Sequence, residues 1–170
     1  MKFSIKNLTI EDSDVFLEFI KKQDKSDLSL FTRWKKFLTS DELLKKFVNE
    51  ECEKKPLDGI RIIAKTDEGK ICGLGLIDFF TEFSKQHVAI VGTITDKSMR
   101  NIGVGKKLLQ REIEIGREFK KKKLRAIVHE HNIASMKLHT SKGFQLEGKF
   151  VAEEYDGEYR NVLSLALFLD

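Results

Sequence analysis

Apolar and polar positions change period along the chain, and each change predicts an element. Lys2 to Leu8 alternates as a strand does. Thr9-Ile10-Glu11-Asp12 then opens a helix, with Thr9 as its cap and Val15, Phe16, Phe19 and Ile20 as its apolar face. Residues 23–39 are irregular and aromatic, with Phe31, Trp34 and Phe37. Ser40 or Asp41 caps a second helix that buries Leu43, Leu44 and Phe47. Strands are expected over 60–65 and 71–80, joined by the hairpin turn Asp67-Glu68-Gly69. Another strand over 86–95 runs into a glycine-rich turn. After it, Val104, Leu108, Leu109, Ile113 and Ile115 recur among charged residues at helical spacing. A strand over 124–128, a short helix, and two strands over 144–153 and 160–168 paired across Asp156-Gly157 complete the chain. Strands alternate with helices after an N-terminal helix pair, which predicts a mixed α/β sheet in one domain spanning residues 1–170.

The turn Arg100-Asn101-Ile102-Gly103-Val104-Gly105-Lys106 carries the most chemistry. Glycines let the backbone turn sharply and approach a ligand. The helix start that follows has unpaired N–H groups and a partial positive charge, so the pair suits a pyrophosphate. The spacing excludes a Walker A loop, because Lys107 follows Lys106 where Ser or Thr is required. It excludes a Rossmann turn too, because Leu108 stands where the third glycine belongs. What remains, Arg-x-x-Gly-x-Gly, resembles the acetyl-CoA loop of the GNAT N-acetyltransferases.

The run from Asn132 to Phe144, Asn-Ile-Ala-Ser-Met-Lys-Leu-His-Thr-Ser-Lys-Gly-Phe, resembles a second GNAT segment in the right order after the first. Asn132 is placed to cap its helix, Ala134, Leu138 and Ser141 share a side, and Gly143 falls where a helix end needs a left-handed residue. The family usually has Tyr at position 139; this chain has His139 and in that looks like the phosphinothricin-type branch, which acetylates amino-acid-like amines. A weaker local resemblance links Ser29 to Phe37, through Thr32, Trp34 and Lys36, to protein acetyltransferases of the Pat type.

The resemblance implies an α/β GNAT fold. Its sheet is mixed and mostly antiparallel, a V splays between two central strands, and helices lie on both faces. Gly92 in mid-strand offers one cause for the splay. The resemblance also implies acetyl-CoA as cosubstrate, held by Ile94, Thr95, Arg100, Asn101, Ile102, Gly103, Val104, Gly105, Lys106, Asn132 and Ser135. An amine would attack the thioester directly. Many relatives place a Glu where this chain has Ile90 or Ile127. The candidate proton-handling residues are therefore His139, His129 and Glu130, with His87 and Glu82 nearby in sequence. Phe31, Trp34, Tyr155 and Tyr159 are candidates for the acceptor pocket. Neutralising a lysine amine of pKa about 10.4 at pH 7 costs about 4.6 kcal/mol, against about 1 kcal/mol for an α-amine. A site without an obvious carboxylate base therefore favours a small amino-acid-like amine. Acetylation of a protein lysine or N-terminus is the rival within the class, and a non-catalytic acyl-CoA sensor the rival outside it.

Composition adds limits. Hydrophobic content of 41% suits a globular chain, and no run of 18 apolar residues is present. Two cysteines are too few for a disulfide scaffold, and no signal-peptide core follows Met1, so a cytoplasmic home is expected. Net charge is +4, with a Lys120–Lys123 run at a helix end and no basic stripe carrying aromatics. The expected partners are acetyl-CoA and an amine, with a homodimer as candidate assembly. No metal, nucleic acid or membrane is expected.

Overall fold

The structure is a computed structural model that describes residues 2–23, 40–54, 56–155 and 157–170. Seven strands form one sheet: β1 (Phe3–Asn7), β2 (Gly59–Thr66), β3 (Ile71–Phe79), β4 (Val88–Thr95), β5 (Lys123–His129), β6 (Gln145–Tyr155) and β7 (Tyr159–Phe168). Their order is β1-β2-β3-β4-β5-β7-β6. β4 and β5 pair in parallel, while β1 with β2, β5 with β7 and β6 with β7 pair antiparallel. The described helices are α1 (Ser13–Lys22), α2 (Asp41–Cys52), α3 (Val104–Glu118) and α4 (Ile133–Thr140).

The chain divides into two compact units that interleave in sequence. The first comprises residues 1–76 and 93–108, the second residues 77–92 and 109–170. In the first, α1 and α2 bury Phe16, Phe19, Ile20, Leu44, Phe47 and Val48 with strand residues Ile63, Leu74 and Ile94. The predicted face of α2 is corrected by one residue. Leu43 is exposed and Val48 buried instead, because the Leu43 amide donates to the Ser40 cap and its side chain turns outward. Thr9 caps the N-terminal turn as expected, but that turn is not yet α-helical. A 3-10 turn over Ile10–Asp12 precedes α1, and the Asp12 carboxylate accepts from the Thr9 amide and hydroxyl. Asp12 is itself buried, with Lys6 Nζ at 2.9 Å and Lys65 Nζ at 2.8 Å.

In the second unit, Leu124, Ala126 and Val128 of β5 face inward with Leu163 and Leu165 of β7, as their alternation requires. Gly116 lets α3 press on the sheet, since a Cβ there would lie 2.8 Å from Leu124 Cδ2. The parallel register of β4 and β5 runs from Val88↔Lys123 to Val91↔Ala126, while β4 continues to Thr95 and β5 to His129. The register thus ends immediately before Gly92. The Lys120–Lys123 run is only partly a solvated helix end: Lys121 donates to the Gln86 carbonyl and lies 4.6 Å from the Phe79 ring centroid. Burial pushes the Lys121 pKa down. No helix among the described residues is long and apolar enough to cross a membrane.

Candidate active site

The glycine turn belongs to the first unit. Asp96 ends β4 by donating its amide to the Cys72 carbonyl of β3 (3.0 Å). Its carboxylate accepts from the Ser98 amide (2.8 Å) and hydroxyl (2.6 Å), closing a 3-10 turn over Lys97–Met99. Arg100 Nε reaches back to the Thr95 carbonyl at 3.5 Å. Asn101 then adopts φ 66°, which asparagine tolerates better than most side chains, and Gly103 adopts φ 91°. α3 begins at Val104, with the Gly103 carbonyl accepting from Lys107 N. The first amides of such a helix have no partner within it. A Cβ on Gly103 would meet nothing within 4 Å, so conformation rather than packing demands glycine there, and the approach to the backbone is open.

The side chains around the turn divide by role. Val104 and Ile94 are buried in the core, which leaves their backbone groups as what they can offer a ligand. Ile102, Arg100 and Lys106 are exposed. Lys107 Nζ sits 4.7 Å from the Phe3 ring centroid. The residue that seats the turn, Gly73 of β3, was not singled out from sequence. A Cβ there would fall 2.8 Å from both Val104 Cγ1 and Leu108 Cδ1, and 3.1 Å from the Ile94 carbonyl. Its signal was a glycine inside a strand, which marks close backbone approach.

The second segment lies in the second unit. Asn132 Oδ1 accepts from Ser135 N at 3.0 Å, so its side chain is committed to capping α4. At the other end Gly143 takes φ 88°; Phe144 N donates to the His139 carbonyl and Gly143 N to the Thr140 carbonyl. Those paired bonds are how a left-handed glycine closes a helix. The side shared by Ala134, Leu138 and Ser141 is turned mostly outward, with Ala134 and Ser141 exposed, and His139 is the residue that α4 buries. Its ring meets Phe144 edge-on at 5.2 Å between centroids.

The hydrogen bonds of His139 define its chemistry. Nδ1 lies 2.8 Å from the Ser135 carbonyl and must donate to it. Ser135 Oγ is 3.4 Å from the same nitrogen. Nε2 is buried without a hydrogen-bond partner among the described residues. Burial pushes the imidazole pKa below its ordinary value, against the Ser135 carbonyl, which raises it. The neutral ring therefore presents a lone pair, not a proton, at Nε2.

His129 and Glu130 separate at the end of β5. His129 is buried, its Nε2 is 3.1 Å from Glu154 Oε2, and its ring stacks on His131 at 5.2 Å. Glu130 takes the Lys149 ammonium at 2.5 Å and the Asn161 amide at 2.7 Å, and these hold its carboxyl below the usual range. Both Glu130 oxygens are thus engaged, which fits a buttress better than a mobile base. Tyr155 and Tyr159 pair at the hairpin tip and are mostly exposed. Phe31 and Trp34 lie outside the described residues. His87 and Glu82 are exposed. Sequence places Glu154 in an acidic hairpin, but no spacing rule links it to His129, 25 residues earlier.

Comparison with known proteins decides the family. The profile of the "Acetyltransferase (GNAT) family" matches residues 28–144. This chain belongs to the GNAT acetyltransferase family. As a GNAT protein it is an N-acetyltransferase with an α/β, mostly antiparallel seven-stranded sheet. Its fold is similar to yncA of Salmonella typhimurium, solved with its cofactor acetyl-CoA (TM-score 0.79, 20% identity, 99% of this chain and 94% of that one). It is similar to ribosomal-protein-alanine N-acetyltransferase from Brucella melitensis (TM-score 0.78, 22% identity, 98% and 99%). It is also similar to a structure assigned to a phosphinothricin N-acetyltransferase (TM-score 0.69, 20% identity, 99% and 99%). No curated protein sequence matches this GNAT chain.

Proposed function

We propose that the protein moves an acetyl group from acetyl-CoA to the amine of a small amino-acid-like acceptor. The observation that carries the cosubstrate is the Gly103 turn: a left-handed glycine with open space above it, at the head of a fifteen-residue helix. The backbone amides from Ile102 to Lys107 would receive the pyrophosphate, and Arg100 and Lys106 would add positive charge at an exposed surface. The presence of acetyl-CoA in the similar yncA structure supports this reading.

The acceptor nitrogen would attack the thioester carbonyl carbon, the C–S bond would break, and its electron pair would leave on sulfur. A backbone N–H of β4 between Gly92 and Ile94 is proposed to stabilise the developing oxyanion. His139 is proposed to accept a hydrogen bond through Nε2 from a bound ligand or a proton-carrying water, because its Nδ1–H is spoken for. Ile90 and Ile127 offer no base on the central strands, which favours amines that are already partly neutral near pH 7. The similarity to a phosphinothricin N-acetyltransferase structure points the same way. A protein N-terminus carries an amine of the same kind, and the similarity to a ribosomal-protein-alanine acetyltransferase makes it the second reading. With two free cysteines and no disulfide, we place the protein in the cytoplasm.

The test is a CoA-release screen with acetyl-CoA across free amino acids, N-α-blocked lysine, polyamines and short unblocked peptides. Turnover with free amino acids supports the reading, and turnover with peptides alone moves the acceptor to a protein N-terminus. No CoA release with any of these amines, while CoA still raises the melting temperature, would convert the protein to a binder. In a parallel melt, a hundredfold excess of CoA over Kd raises apparent stability by about 2.7 kcal/mol. The Gly103→Asp variant should lose that shift.

A further inference from the structure

We infer that His129 is the proton acceptor for the attacking amine and that Glu154 is its positioning residue, held in place by a bulge in β6. The inference rests on the acetyl-transfer reading above and adds the base which that reading lacks.

The two side chains come from strands that are not neighbours. His129 stands opposite Val162 on β7, and Val162 stands opposite Phe150 on β6, so all three point to one face of the sheet. Glu154 should lie well past His129 if β6 continued regularly from Phe150. It does not, because the register jumps from Phe150↔Val162 to Glu154↔Arg160: four steps on β6 against two on β7. Two additional residues are looped out, and Glu154 arrives two rungs early.

The loop-out is over-determined. Ala152 sits at φ 53°, a conformation that side chains resist. Its amide is taken by Asn161 Oδ1 at 3.0 Å, and Asn161 Nδ2 in turn donates to Glu130 Oε2 at 2.7 Å. Glu130 is anchored again by Lys149, on the β6 side of the bulge. Strained backbone held by several independent contacts is the kind that tends to sit at functional sites. Here its product is a carboxylate 3.1 Å from a buried imidazole nitrogen.

The carboxylate settles the tautomer. An ionised Glu154 can only accept, so Nε2 of His129 carries the hydrogen and Nδ1 of the neutral ring carries the lone pair. Nδ1 has no hydrogen-bond partner among the described residues. The stacked His131 ring, 16° from coplanar, leaves the imidazole little freedom to rotate. A base with its lone pair fixed by a carboxylate behind it is the arrangement that accepts a proton and is stabilised once charged. The acceptor ammonium would give one proton to Nδ1. The resulting amine attacks the thioester carbon, and its second proton leaves with the CoA thiolate or to water. His129 then returns its own proton to solvent.

The rival is a staple that merely ties the hairpin to β5, and kinetics separate the two. The parent, His129→Gln, Glu154→Gln and Glu154→Asp are assayed from pH 5.5 to 9.5 with acetyl-CoA and the best amine of the screen. CoA-induced melting shifts are recorded for each. The charged and titratable groups around His129 among the described residues include Glu154, Arg160 opposite it on β7, His131 and the Glu130–Lys149 pair. None but Glu154 is altered. We expect His129→Gln to lose at least a hundredfold in kcat with KM for acetyl-CoA within threefold, and to lose the low-pH limb. Glu154→Gln keeps an acceptor oxygen but removes the charge. It should lose ten- to a hundredfold and move that limb to lower pH, and Glu154→Asp should recover part of the rate. If the parent is active, and both Gln variants keep kcat within threefold with an unmoved limb and a normal CoA shift, the pair is a staple and the inference falls. If the parent binds CoA but turns over no amine, the acetyl-transfer reading falls first and takes this one with it.

Discussion

A Cβ on Gly73 would lie 2.8 Å from Val104 Cγ1, so the first turn of α3 rests directly on the backbone of β3. The proposed pyrophosphate amides begin at that same turn. The height of α3 above the strand therefore sets where those amides point.

Gly73→Ala should push Val104 and Leu108 outward or strain them. Overpacking of this kind costs about 1–3 kcal/mol, which lowers Tm by several degrees in a chain of this size. Affinity for CoA should fall at least about tenfold, because the amides move with the helix. Gly103→Ala meets no neighbour and suffers only its left-handed backbone, so its stability cost should be smaller. Parent-like melting and CoA affinity in Gly73→Ala would show that α3 is seated elsewhere.

Asp12 predicts a pH dependence of stability. Burial works to raise its carboxyl, but the Lys65, Lys6 and Thr9 hydrogen bonds outweigh it and bring the pKa down to about 2. The folded state therefore prefers the ionised form. Its contribution is complete above the unfolded pKa near 3.8 and is lost as pH falls from there towards 2. Asp12→Asn should cost about 1–2 kcal/mol at pH 7. Denaturant melts at pH 7, 4 and 2.5 should show the gap from the parent closing with acid. A gap constant with pH would mean that the carboxylate charge contributes nothing.

His139 should matter for turnover more than for CoA binding. His139→Ala empties a buried site and should cost about 2–3 kcal/mol of stability as well as kcat. His139→Tyr restores the residue usual in the family and should keep activity, whereas His139→Phe fills space without a polar atom and should not. Because burial holds the imidazole pKa down, the parent should lose stability against His139→Tyr as pH falls below about 6.5. Full kcat in His139→Phe would return the residue to packing alone.

Acceptor preference should follow amine pKa. A histidine base removes a proton from an α-ammonium, of pKa about 7.7–8.0, far more readily than from a lysine ammonium of pKa about 10.4. With N-α-blocked lysine, kcat/KM should still be climbing above pH 9, and with free amino acids it should level off earlier. Robust, pH-independent turnover of blocked lysine from pH 6.5 to 9.5 would point to a stronger base than His129.

The local devices were legible in the chain because they depend on neighbours in sequence. A left-handed glycine, an Asn132 cap and a 3.6-residue apolar stripe each need only a few consecutive residues, and Gly103, Gly143, Leu108 and Ile115 stand as their spacing requires. Even the family follows from two such segments in order. Three matters were decided by tertiary structure. Which face of a short helix is buried depends on what packs on it, so α4 buries His139 rather than the Ala134 side. Gly73 is a glycine because α3, thirty residues later, comes down on it. Glu154 meets His129 because two residues of β6 are looped out and Asn161 holds them there. The hydrophobic pattern does not record a register shift of two: side chains keep their faces and only their distance along the strand changes.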